Sequence, residues 1–388
     1  MGAPHAQSRI RQAVTSLADP QAAVKDLHDQ LVQADMSMVV LFCSPDYPLC
    51  DLKSALAETF EGAKVVGCTT AGELSQNGYS EGSISGLSLA RPDFNAASAR
   101  ITDLSHYTLT SGREIVSSLL EELKAQGVDP TPENTFAFLM IDGLCRCEEL
   151  LVSTLYPALG GIQLFGGSAG DGMHFDRTFV LHDGEFHPES AVLTLVSTEH
   201  PFRIFNSQHF RSTGRKMVVT EADPANRIVT EINAEPAAHE YARLVGLEDA
   251  ALTPMVFANH PVVVRVGGED HVRSIQKVNA DGSLTFFCAI DCGVVLTVAE
   301  GVDITQSVQN LMDNLNESIG HPDLIIGCDC VLRSLELERK QLRRELAPLF
   351  ESNNFIGFNT YGEQYNSMHV NQTLTGVAIG RRTAISAE

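Results

Sequence analysis

Three short segments carry the residue types best suited to holding a small ligand. They are Lys64-Val-Val-Gly-Cys-Thr-Thr-Ala-Gly-Glu73, Leu164-Phe-Gly-Gly-Ser-Ala-Gly-Asp171 and Phe355-Ile-Gly-Phe-Asn-Thr-Tyr-Gly-Glu363. Glycine lets a ligand approach the main chain, and Gly67, Gly72, Gly166 and Gly167 are candidates for that role. Cys68, Thr69, Thr70, Ser168, Asn359, Thr360 and Tyr361, with Asn371 a little downstream, supply thiol, hydroxyl and amide groups. Glu73, Asp171 and Glu363 each end a turn with a carboxylate. One such turn alone reads as a tight bend; three at equivalent points bring a binding role level with that reading. None matches the phosphate-binding G-x-x-x-x-G-K-S/T loop or the dinucleotide fingerprint.

Histidine and cysteine offer other chemistry. Thirteen histidines occur, five of them between His174 and His209. His260 and His271 flank a strand-like run, and His369 follows Glu363 in Met368-His-Val-Asn-Gln-Thr373. No H-E-x-x-H is present, so a His-based zinc site has little support. Cys145-Arg-Cys147 and Cys328-Asp-Cys330 could together form a four-thiolate zinc site, although alternation along a strand explains each pair as well. Gly166-Gly-Ser-Ala-Gly170 has the letters of a nucleophile elbow, but strand-like sequence follows where that elbow needs a helix. Asp142, Asp171, Glu73 and Glu363 could serve as acid and base, yet nothing in their spacing brings them together. Binding without turnover is the stronger expectation, so the chain is not expected to be an enzyme.

The elements that must position these groups form an internal repeat. Each copy reads strand, helix, strand, Gly-rich turn. The copies begin at Met38–Cys43, Phe136–Asp142 and Leu324–Asp329, and their helices are expected over Asp51–Phe60, Cys147–Leu155 and Arg333 to about Leu346. A further strand-like segment follows each turn. Asp-Gly turns at His182–Glu185 and Asn279–Gly282 predict antiparallel hairpins. The expected fold is mixed α/β: repeated β-α-β units with added antiparallel hairpins. A polar stretch at Gly214–Asn226 suggests a boundary, giving a helical lead-in over 1–30 and domains over 31–215 and 216–388. A helix is expected over Ile232–Val245, ending at Gly246.

Composition narrows the partners. The 388 residues carry 49 acidic and 27 basic side chains, a net charge of −22, which argues against a nucleic-acid or anionic-membrane partner. No membrane-length apolar run or signal-peptide layout is read in the sequence, so a cytoplasmic location is expected. Nine cysteines in that compartment are expected to be free thiols.

Val66-Gly-Cys-Thr-Thr-Ala-Gly-Glu73 with Phe165-Gly-Gly-Ser-Ala-Gly-Asp171 resembles the amino-terminal FIST (F-box and intracellular signal transduction) sensory domain. Cys328-Asp-Cys-Val-Leu-Arg333, Gly357-Phe-Asn-Thr-Tyr-Gly-Glu363 and Asn371-Gln-Thr373 resemble its carboxy-terminal partner. The likeness covers roughly residues 30 to 385 and implies a small-ligand sensor of bacterial signalling. The stand-alone chain looks most like the nitric-oxide-sensing haemoprotein branch. That resemblance implies haem b, nitric oxide binding to ferrous iron, and control of a partner histidine kinase. His369 is the first candidate for the haem iron, followed by His260 and His271, with Arg265, Arg273 and Arg333 as propionate partners. The alternative is a haem-free FIST sensor for an amino acid or similar polar metabolite; a hydrolase or lyase built on the turn carboxylates stands third. A homo-oligomer stays open.

Overall fold

A computed structural model describes residues 9–248, 252–266 and 268–382. Two sequence repeats run in direct succession. The first comprises β1 (Ile10–Thr15), α1 (Pro20–Leu31), β2 (Met36–Cys43), α2 (Leu49–Thr59), β3 (Val65–Thr69), the hairpin β4 (Glu73–Ser75) and β5 (Gly78–Ser80), and β6 (Ile84–Ala90). The second has the same plan: β7 (Phe94–Ile101), α3 (Leu109–Ala125), β8 (Thr135–Ile141), α4 (Glu148–Ala158), β9 (Gln163–Ser168), the hairpin β10 (Val180–His182) and β11 (Glu185–His187), and β12 (Ala191–Thr198).

The third repeat opens with β13 (Phe202–Ser207) and is then interrupted by an inserted unit. That insert holds β14 (Phe210–Asp223), β15 (Ile228–Ile232), β16 (Glu235–Pro236), α5 (Ala237–Val245), α6 (Pro254–Asn259), β17 (Val262–Val266), β18 (Glu269–Arg273), β19 (Ile275–Val278), β20 (Leu284–Phe286) and β21 (Val295–Gly301). The repeat resumes with α7 (Ile304–Ile319), β22 (Pro322–Cys330), α8 (Val331–Arg339), α9 (Arg343–Ser352), β23 (Phe355–Thr360), the hairpin β24 (Glu363–Tyr365) and β25 (Met368–Val370), and β26 (Leu374–Gly380).

Strands are exchanged cyclically. The three six-stranded sheets have the orders β1-β6-β2-β3-β10-β11, β7-β12-β8-β9-β24-β25 and β13-β26-β22-β23-β4-β5. Each repeat therefore lends its hairpin to another repeat's sheet: the first to the third, the second to the first, the third to the second. The parallel pairs β2–β3, β8–β9 and β22–β23 lie at the sheet centres, joined by helical crossovers.

Alternation along these central strands builds the core. Val40 and Phe42, Phe138 and Met140, and Ile326 and Cys328 face a common centre where all three sheets meet. Phe42 stacks on Phe358 at 4.7 Å and Phe138 on Phe165 at 4.6 Å between ring centroids. The opposite faces, such as Val39 and Leu41, or Leu139 and Ile141, pack under each repeat's own helices. Burial on both faces explains why these strands read as continuous apolar runs. The inserted sheet has its own core around Val219, Tyr241, Phe257, Phe286 and Leu296.

The mixed α/β fold is as expected, and both Asp-Gly hairpins form. Four local expectations differ. Within the 1–30 stretch, the described residues include β1 and most of α1, with Ala23, Val24, Leu27 and Leu31 buried, so they are part of the first repeat. The polar stretch at Gly214–Asn226 lies largely within β14, whose exposed residues give it a linker-like composition. Helix α5 starts at Ala237, because Ile232 is a buried strand residue of β15; Gly246, at φ 78°, does end it. The helix expected over Arg333–Leu346 breaks into α8 and α9 at Gln341, which adopts a left-handed φ of 58°.

Candidate functional site

The three Gly-rich turns converge. The Ala71 amide donates to Asn359 O at 2.9 Å, the Gly170 amide to Thr69 O at 3.0 Å, and the Tyr361 amide to Ser168 O at 3.3 Å. This ring of main-chain bonds relates the turns by approximate threefold symmetry. The bland reading holds for several of their residues. A Cβ on Gly67, Gly166 or Gly357 would sit 1.9, 2.2 or 1.9 Å from the carbonyl oxygen of the facing parallel strand, so these glycines serve close strand contact. Gly167 and Cys68 are packed into the core region.

The carboxylates divide two against one. Glu73, Val180 and Glu363 occupy equivalent positions, each opening its hairpin opposite Phe358, Cys68 and Gly167. Glu73 is wholly buried and accepts hydrogen bonds from the Thr70 hydroxyl, from the Ser83 amide at 3.1 Å and from the Ser83 hydroxyl at 2.6 Å. Glu363 is held identically by the Thr360 hydroxyl, the Thr373 amide at 3.1 Å and the Thr373 hydroxyl at 2.8 Å. Burial pushes Glu73 up to about 7 and Glu363 up to about 8, against the opposing pull of these hydrogen bonds.

Asp171 is not their counterpart. It lies in residues 171–178, which are additional to the second turn, and it accepts from the amides of Phe175, Asp176 and Arg177, each at 2.8 Å, and from the Tyr361 hydroxyl. Asp142 likewise caps a loop, accepting from the Leu144 amide at 2.9 Å and the Glu189 amide at 2.6 Å. Ser168 is fully buried and accepts from Gln364 Nε2 at 3.0 Å.

Beside the first turn lies a cavity of about 320 Å³. Thr70, Gly72 and Glu73 form one wall, Asp171 and His174 another, and Asp46, Glu81, Glu338 and Arg343 the rest. Its place, past the carboxyl ends of β2 and β3, is where open α/β sheets bind ligands. Carboxylates predominate, and Arg343 is the guanidinium among them. Arg343 Nη2 donates to Ser334 Oγ at 2.9 Å and lies 3.3 Å from Glu338, Nη1 lies 3.3 Å from Glu81, and its buried Nε has no hydrogen-bond partner. The cavity thus offers anions to an ammonium group and one guanidinium to an acceptor.

The third hairpin is different. Its cross-strand pair is Gln364 and His369, where the first two hairpins carry Leu74 with Tyr79 and Leu181 with Phe186. Gln364 Oε1, His369 Nε2 and Asn371 Nδ2 are all buried without a partner. Burial lowers the His369 pKa, keeping the ring neutral. The inserted unit closes this region: Arg227 binds Glu148 at 2.5 Å and Glu149 at 2.8 Å, and the Ala289 amide donates to Glu149 at 2.8 Å.

The residues assigned to haem do not assemble. His260 follows α6 and His271 lies in β18, both in the inserted unit, whereas His369 lies in β25. Arg333 is 1% exposed and committed to Asp329 at 2.7 Å and His209 at 2.8 Å. Arg273 donates to the carbonyl of His369 at 3.2 Å, and Arg265 is exposed on β17. Cavities of about 590, 580, 320 and 290 Å³ are lined by none of the three histidines. A Cβ on Gly362 would stand 2.8 Å from His369 Nε2, so the ring packs closely against the Gly362 main chain and leaves no adjoining cavity among those four for a macrocycle. The residues present do not fit a haem. Among the described residues, no cluster of three or more His, Cys, Asp or Glu side chains is placed to hold a metal ion, so the two C-x-C pairs form no four-thiolate site.

Gln364, Arg343, Ser83 and Thr373 were missing from the candidates. Ser83 and Thr373 had a readable signal, each standing ten residues after its glutamate. Arg343 had none, because only the fold brings α9 to the first turn.

No helix of the described residues is long and apolar enough to cross a membrane. An uncharacterized protein of Methanocaldococcus jannaschii is 22% identical over 376 residues, covering 84% of this chain and 71% of its own. The FIST N domain model matches residues 37–235 and the FIST C domain model residues 237–366, a division that falls inside the inserted sheet. The chain belongs to the FIST family, by both of its domains.

Proposed function

We propose that this FIST protein is a sensor that binds a small zwitterionic metabolite of the amino-acid class in the first-turn cavity, without turning it over. Membership of the family supports a sensory role in signal transduction. The observation that carries the ligand class is the single guanidinium, that of Arg343, in an otherwise acidic lining. A ligand carboxylate would accept from Arg343 while its ammonium group meets Asp46 or Glu338. A cavity of about 320 Å³ suits such a molecule and falls short of a macrocycle with its propionates.

The finer expectation of haem, nitric oxide and a histidine kinase rests on resemblance. The packing around His369 disfavours the haem in it, while a kinase remains the proposed recipient of the signal. Titration calorimetry against a panel of amino acids tests the reading. We expect at least one to bind, and Arg343→Ala to weaken it roughly tenfold to a hundredfold, the loss of one charge-assisted hydrogen bond. Protein that binds none of the panel, yet shows a Soret band that shifts with nitric oxide, would return the haem reading to first place.

A further inference from the structure

The second repeat carries chemistry that the first-turn cavity does not use. Cys145 and Cys147 both line the cavity of about 590 Å³ at the carboxyl end of β8. Arg146 between them adopts a left-handed φ of 56°, which folds the three residues into a turn. The Cys147 amide donates to Cys145 Sγ at 3.4 Å, and Cys147 Sγ donates to Cys145 O at 3.1 Å. Residues two apart span at most about 7 Å when extended. A turn therefore brings the pair inside the Cα separation, about 4.4–6.8 Å, that a disulfide bridges.

We propose that Cys145 and Cys147 form a peroxide-reactive dithiol that closes to an intramolecular disulfide. Cys147 is the attacking thiol. It is the N-cap residue of α4, where the helix dipole favours an anion. Its pKa is lowered, chiefly by its side-chain hydrogen bonding with Cys145 and further by Arg227, against the opposing effects of burial, Glu148 and Glu149, while that of Cys145 is raised. Burial instead raises Cys43, Cys68, Cys288, Cys328 and Cys330, which makes them inert.

The step balances with a hydroperoxide as oxidant. The Cys147 thiolate attacks one peroxide oxygen, the O–O bond breaks, and hydroxide leaves as Cys147 becomes a sulfenic acid. The Cys145 sulfur then attacks the Cys147 sulfur: the S–S bond forms, the S–O bond breaks, and the departing hydroxide takes the Cys145 proton as water. Two thiols lose two electrons and hydrogen peroxide is reduced to two waters. Closure tightens the start of α4, whose next residues, Glu148 and Glu149, hold Arg227 of the inserted unit. The redox state of the pair is thereby felt at the junction between the ring of sheets and the insert.

The test is peroxide titration of the full-length protein, followed by alkylation and peptide mass spectrometry. The peptide spanning both cysteines should escape alkylation and lose the mass of two hydrogens at lower peroxide than modifies the exposed Cys50 or Cys292. Cys145→Ser should leave a Cys147 sulfenic acid that dimedone captures, and Cys147→Ser should abolish both products. In unoxidised wild type, Cys147 should alkylate faster than Cys50 and Cys292, a readout independent of any variant's folding. Cys147 that alkylates more slowly than both, or a pair still fully alkylated after Cys50 and Cys292 are oxidised, would overturn the proposal.

Discussion

The first and third repeats end their turns in the same carboxylate cradle, yet their surroundings are opposite. Around Glu73 the hairpin pair is Leu74 and Tyr79, and a cavity opens beside it. Around Glu363 the pair is Gln364 and His369, three polar atoms lack partners, and the inserted sheet lies over the region. Identical backbone geometry thus supports an open site with an apolar hairpin in one place and a buried polar cluster in the other. The insert, present only in the third repeat, is what breaks the symmetry.

The strongest way to break this contrast is to loosen the seal. Arg227→Ala leaves Glu148, 2% exposed, as a buried charge without its partner. A loss of about 3–5 kcal/mol is expected by chemical denaturation. A loss below about 1 kcal/mol would mean that the insert is not held through this contact.

The two cradles can be separated by pH. Both glutamates bind protons more tightly folded than unfolded, so between about pH 4.5 and their folded pKa values the native state holds the extra proton. Stability should therefore be greatest at low pH in this window and fall as pH rises, by about 1.4 kcal/mol per pH unit for each group. Glu73 stops contributing near pH 7, whereas Glu363 continues to about 8. Denaturation of Glu363→Gln between pH 7 and 8 should show a flatter slope than wild type, while Glu73→Gln should change that interval much less. Equal slopes in both variants would remove the distinction.

The mildest change converts the third hairpin into the first. Gln364→Leu with His369→Tyr replaces a pair bearing unpartnered atoms with the pair found in the first repeat. Without a ligand to satisfy those atoms, the double variant should gain about 1–3 kcal/mol in thermal or chemical denaturation. A loss of similar size would show that the polar pair is satisfied in the working protein.

The repeat was legible because each copy keeps a local pattern: an apolar strand, a helix, a second strand and a glycine turn. The hairpin exchange was not, because Leu74 pairs with Gly357, and no local pattern encodes a partner so distant. Asp171 resembled Glu73 only in letters: it follows Ser168-Ala-Gly170 as a glutamate follows the glycine in the other turns, but residues 171–178 are extra. Strand β1 mixes buried with half-exposed residues and is short, so its place beside β6 could not be read from composition. His369 lies close to the third turn in the sequence, but its surroundings depend on Glu148, Glu149 and Arg227, which belong to the second repeat and the insert.

Cyclic hairpin exchange also sets a timetable for synthesis. The β4–β5 hairpin emerges from the ribosome early, but the strand that completes its pairing, β23, appears only near the end of the chain. At roughly 5–20 residues per second, Leu74 waits on the order of tens of seconds for Gly357. Throughout that interval one edge of the hairpin exposes unpaired main-chain groups beside apolar residues. A nascent chain in this state invites both chaperones and pairing with its neighbours, so the exchange that locks the finished molecule makes its assembly the more delicate stage.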